Sequence, residues 1–181
     1  MTSTPSKEEL LGTYLNDHLA GATAGTELIK RLSKAEAHRP EGESLRRLAT
    51  EIAEDRQVLL DIMAKLNVPV RQYKAWLGWT AEKLSRVKPN RHVFTRSPLS
   101  RVVELETMCL GVEGKTAGWR ILRARATVDA RLDVGRLDEL ISRAGRQLTE
   151  LEQLRLQSAT AAFGGDPEAA SNGDSGREDT P

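Results

Sequence analysis

His18 and Asp55 are ionisable side chains standing in otherwise apolar helical stripes. Helix one carries Leu11, Tyr14, Leu15, His18, Ala22, Leu28, Ile29 and Leu32; helix two carries Leu45, Leu48, Ile52, Asp55, Leu59, Ile62 and Leu66. The spacing of three and four residues is that of one helical face turned to a core. A charge on such a face is costly unless it is paired and hydrogen-bonded. In an antiparallel hairpin His18 and Asp55 lie at similar distances from the turn, so they can meet. The expectation is a buried His–Asp pair, joined by Arg143 or Arg146 and serving packing specificity.

Gly21 and Gly25 are four apart in helix one, and Gly114 and Gly118 repeat that spacing in helix three. Each costs about 1 kcal/mol against alanine inside a helix, so something compensates. Close approach of two helix backbones is the simpler compensation; room for a ligand beside His18 is the other. Gly114-Lys115-Thr116 matches the end of a phosphate-binding loop, but the first glycine of that motif would fall on Cys109 and no strand precedes it. The match is set aside as chance. Cys109, the sole cysteine, excludes a disulfide framework and reads as a small core residue in a cytoplasmic protein.

The elements that must position these residues are helical. Aromatics make up 4% of the 181 residues, and no strand-like alternation is sustained. Ser6 to Glu9 has the pattern of a capping box, which opens helix one. Helix two follows Pro40 and is stopped by Asn67 and Pro69. Helix three starts at Ser97-Pro98, with proline at the first helical position, and helix four is expected from about Thr127 to Ala162. Short links join helices one and two, and three and four, which makes each pair antiparallel. Residues 68–97 form a longer connection with an amphipathic stretch of its own: Tyr73, Trp76, Leu77, Thr80, Leu84 and Val87. The expected architecture is an all-α bundle of two hairpins joined by one long crossover carrying a short helix. Residues 1–5 would be a flexible N-terminus, and residues 164–181, acidic and without a large apolar side chain, a disordered tail.

Overall charge points to no partner, since 27 Lys and Arg face 26 Asp and Glu. Its distribution is more informative. Between Arg71 and Arg101 only Glu82 opposes a run of cations that includes Lys74, Lys83 and Arg86. With Trp76 and Trp79 among them, these residues form a candidate docking surface for a protein partner or an anionic surface. Trp79 and Lys83 fall off the apolar stripe and would project together. No apolar run is long enough for a membrane span.

Three segments, YLNDHLAGATAGTEL in helix one, EIAEDRQVLLDIM in helix two and SPLSRVVELETMCLGVEGK in helix three, resemble those of an uncharacterised, bacterial-looking family of ferritin-like four-helix bundles. The resemblance spans residues 6–163. It implies a ferritin-like fold, and in active members a Glu on two helices and Glu-x-x-His on the other two, holding a pair of metal ions. Glu-x-x-His is absent from this sequence; Gln57 and Val58 stand where a histidine would on helix two, and Arg143, Arg146 and Gln147 occupy the middle of helix four. What the resemblance leaves is a remnant set, His18, Glu51, Asp55 and Glu106, whose donor types suit iron or manganese.

Two functions are therefore expected from different classes. The first is a non-enzymatic bundle acting as a binding or scaffold module, with no cofactor. The second is a metal-binding oxidoreductase or metal store with an atypical site. Oligomeric state is not legible in the sequence.

Overall fold

A computed structural model describes residues 4–71 and 97–164, and all statements below concern these residues. They form four helices and no strand: α1 (Lys7–Ala35), α2 (Gly42–Lys65), α3 (Pro98–Arg125) and α4 (Val134–Phe163). The all-α four-helix expectation holds; the short helix expected within 68–97 lies outside the described residues.

Local signals set the helix ends. Ser6 Oγ accepts from the Glu9 amide while the Glu9 carboxylate accepts from the Ser6 amide, so the capping box forms as read from the sequence. At the end of α2, Asn67 turns left-handed (φ 58°) and the Val68 amide donates to the Met63 carbonyl. Pro98 occupies the first turn of α3. Helix four begins later than Thr127. Asp129 instead accepts from the Arg131 backbone and from the Arg125 and Arg131 guanidinium groups, and Asp133 caps the Arg136 amide. Aspartates that bond nearby backbone amides compete with helix, so the chain turns once more before α4 begins. Leu132, in that turn, is still buried.

The core lies in two halves along the bundle axis. One joins Leu28, Ile29 and Leu32 of α1 to Leu45, Leu48 and Ile52 of α2, Leu105, Met108 and Val112 of α3, and Leu151 and Leu154 of α4. The other joins Leu15 and Leu19 to Leu59, Ile62 and Met63, Trp119 and Leu122, and Leu137 and Leu140. Reading the numbers across each half gives the directions: α1 opposes α2 and α3, while α2 and α3 run the same way and α4 runs with α1. Direct packing joins α1 to α2, α1 to α3 and α3 to α4. Helices α2 and α4 meet through side chains, Arg47 to Glu150 (2.6 Å) at one end and Glu54 to Arg143 (3.1 Å) nearer the middle.

The two described segments end on opposite ends of the bundle. Near Arg71 the chain is tied to α1, where Asn16 Nδ2 donates to the Pro69 carbonyl (3.1 Å) and Asn16 Oδ1 accepts from the Arg71 amide (2.7 Å). Arg101, near the start of α3, pairs with Glu36 (3.2 Å) and Glu41 (3.6 Å) in the α1–α2 turn. Among the described residues, no helix is long and apolar enough to cross a membrane.

Candidate functional site: a glycine-lined groove over a buried polar layer

Between the two core halves the apolar packing is interrupted. Asp55 follows Ile52 by one turn of α2, Lys115 follows Val112 on α3, and Gln147 follows Ala144 on α4. These three side chains bond to one another. Lys115 Nζ donates to Asp55 Oδ2 (2.5 Å) and to Gln147 Oε1 (2.5 Å). Gln147 Nε2 is within reach of both Asp55 Oδ2 (3.2 Å) and Glu51 Oε2 (3.0 Å), and Arg143 donates to the other Asp55 oxygen. Both oxygens of a fully buried carboxylate are thus satisfied by cations on different helices. Burial pulls the Lys115 pKa below the usual lysine value, and the Asp55 charge opposes that shift.

At this level α1 buries Thr26, whose hydroxyl donates to the Ala22 carbonyl of its own helix. Beside it stand Ala22 and Gly25, and the space opens as a cavity of about 780 Å³ between α1 and α3. Gly21 and Gly25 line one wall, Gly111 and Gly114 the other, and Asp55 and Lys115 reach its floor. A Cβ built on Gly21, Gly25, Gly111 or Gly114 meets no atom within 4 Å among the described residues. The expected close backbone approach is therefore corrected at Gly21, Gly25 and Gly114: these glycines make room. Of the glycines lining the groove, Gly118 is crowded, with the His18 ring 3.0 Å from where its Cβ would sit.

His18 does not meet Asp55 in a hydrogen bond or ion pair. It lies over Gly118 and against Tyr14 in an edge-to-face contact, ring centroids 4.4 Å apart. Burial lowers its pKa below 6.5, partly offset by neighbouring Asp17. The partner expected for Asp55 is thus replaced by Lys115, with Arg143 joining as foreseen; Arg146 bonds Ser142 on its own helix. Trp119 lines the same cavity. Its ring is buried, 2% exposed, and the indole Nε1–H has no hydrogen-bond partner among the described residues.

The four residues considered as metal ligands are not brought together. Glu51 and Asp55 are bridged by the Gln147 amide, His18 lies against Tyr14 and Gly118, and Glu106 is exposed near Arg155 (3.8 Å). Among the described residues no group of three or more His, Cys, Asp or Glu could hold a metal ion. A cation entering beside Asp55 would also have to displace Lys115 and Arg143.

Of the proposed docking surface, Arg71 is described and exposed, its guanidinium 3.4 Å from Thr13 Oγ1. Lys74, Trp76, Trp79, Lys83 and Arg86 lie outside the described residues. Arg101, which closes the cationic run, is largely enclosed and paired with Glu36 and Glu41. Cys109 packs at the edge of the first core half beside Glu152, and burial together with that carboxylate pushes its thiol up to about 11.

Sequence reasoning passed over Lys115, Gln147 as a partner, and Trp119 as an open donor. The signal for Lys115 was present: it lies three residues after Val112 and four before Trp119, on the inner face of α3. Compared with known proteins, the chain matches no family model, no curated protein and no solved structure.

Proposed function

We propose that the protein is a non-enzymatic binding module, a ferritin-like bundle in which the level expected to hold metal is closed by a lysine and the α1–α3 seam beside it is opened to take a ligand. One observation carries this reading: Asp55, the best-placed carboxylate on the core axis, spends both oxygens on Lys115 and Arg143. The run of helix directions, with α2 and α3 parallel, supports the ferritin-like plan, which differs in that respect from a bundle whose helices alternate. Pockets of a few hundred cubic ångströms, largely apolar with a few placed polar groups, are the usual form of small-molecule sites, and the groove has that character.

The competing function, an atypical iron or manganese site, is tested by metal analysis of protein expressed with both metals, repeated on the His18→Ala, Glu106→Ala double variant. Far less than one metal per chain, unchanged by the substitutions, is the expected result. Near-stoichiometric metal that disappears in the double variant would overturn the reading.

A further inference from the structure

We infer that α3 pairs with the α3 of a second copy of this chain, antiparallel, through an uncharged stripe on its outer face. At about 100° per residue, Leu99, Val103, Leu110, Gly114, Ala117 and Ile121 fall within an arc of roughly 60°. All of them are exposed, Leu110 by 69%, and no Lys, Arg, Asp or Glu of α3 falls inside the arc. The outer face of a helix that meets only water normally carries charges. Large apolar side chains aligned along the whole length of a helix mark a contact surface instead. The groove lies to one side of the stripe, towards α1, with Val103 and Leu110 at its lip.

The stripe is complementary to its own reverse, and that decides the partner. Set antiparallel about the level of Val112, Leu110 faces Gly114 of the second copy, Thr107 faces Ala117, and Val103 faces Ile121. Each protruding side chain thus has a smaller or apolar one opposite, and the two-fold repeats every contact. Charge agrees with that direction. Glu106 and Arg120, both exposed, flank the stripe on the edge nearest α4. Arg155 lies 3.8 Å from Glu106 but is held more closely by Glu152 (2.7 Å), and Arg120 has no ion partner among the described residues. A two-fold across the pair keeps like edges on the same side, so Glu106 of one copy comes within a turn of Arg120 of the other. A parallel pair would set Glu106 on Glu106 and Arg120 on Arg120, which repel. Glu113, on the same edge near the two-fold, meets its own copy and opposes the contact at its centre. The stripe is about 33 Å long at 1.5 Å per residue, a small interface, so self-association in the micromolar range is expected.

Sedimentation equilibrium of the full chain tests the pairing. The mass is expected to rise with concentration from 20.0 kDa towards twice that value. Leu110→Glu, at a side chain exposed enough to be replaced without disturbing the core, should hold the chain monomeric while circular dichroism shows the helices intact. Glu106→Arg alone and Arg120→Glu alone should each weaken pairing about ten-fold, because each sets like charges together at both symmetry-related ends. Combining the two reversals should restore pairing to near the wild-type strength, and Glu113→Gln should tighten it. A wild-type chain that stays monomeric up to about 200 μM, well above a micromolar dissociation constant, would overturn the inference and leave the stripe to a different protein. A dimer indifferent to Leu110→Glu would place the interface elsewhere and overturn it too. Charge reversals whose losses add instead of cancelling would overturn the antiparallel register, and they decide the matter even if Leu110→Glu fails to fold.

Discussion

At the scale of single residues, the account turns on Asp55 and Lys115. Their side chains are 2% and 14% exposed, so neither is easily rescued by water when the other is lost. Removing one partner of a buried pair typically costs about 3–5 kcal/mol, because the remaining charge is stranded, whereas removing both can be far milder. Asp55→Asn and Lys115→Met are each expected to cost about 3 kcal/mol in urea unfolding, the lysine variant being softened by Arg143. The double variant should cost well below their sum. Additive losses would mean that the two side chains act separately and that the polar layer is not a unit. Half of this pair was legible. A carboxylate on an apolar stripe announces a partner, and helix pairing nominated His18; yet His18 lies against Tyr14 and over Gly118, and the cation that reaches Asp55 comes from α3. Lys115 went unread because its neighbours, Gly114 and Thr116, drew attention to a phosphate-loop motif that a helix cannot form.

At the scale of elements, sequence spacing located all four helices, because stripes of period three to four and strong end signals such as Ser6–Glu9 and Ser97-Pro98 act locally. The start of α4 was placed too early because the helical pattern runs through residues 127–133, where Asp129 and Asp133 bind backbone amides instead. The glycines were harder, since spacing alone does not distinguish a backbone brought close from a space left open. Stability does distinguish them. Gly114→Ala adds a methyl group to open space and removes the entropic cost of glycine in a helix, so it is expected to stabilise the fold by about 1 kcal/mol. Gly42→Ala should destabilise it by about 1–2 kcal/mol, because its Cβ would lie 2.8 Å from the Glu36 carbonyl oxygen and 2.9 Å from that of Ala37. Denaturant midpoints of the two variants read both signs. A destabilised Gly114→Ala would restore the close-approach explanation.

At the scale of the whole molecule, a polar layer divides the core and a groove reaches it between α1 and α3. That asymmetry follows from composition: α2, α3 and α4 each send a charged or amide side chain into the layer, and α1 offers alanine, glycine and a threonine whose hydroxyl turns back on its own helix. The central claim is that this leaves an open, apolar space which the protein uses for binding. Diffraction from a crystal of the full chain held under xenon tests it most directly, since xenon enters apolar cavities and marks them by its electron density. The expected result is a xenon peak between α1 and α3, flanked by Gly21, Gly25, Gly111 and Gly114. Side chains of the protein itself filling that space, with no xenon between the two helices, would contradict the account.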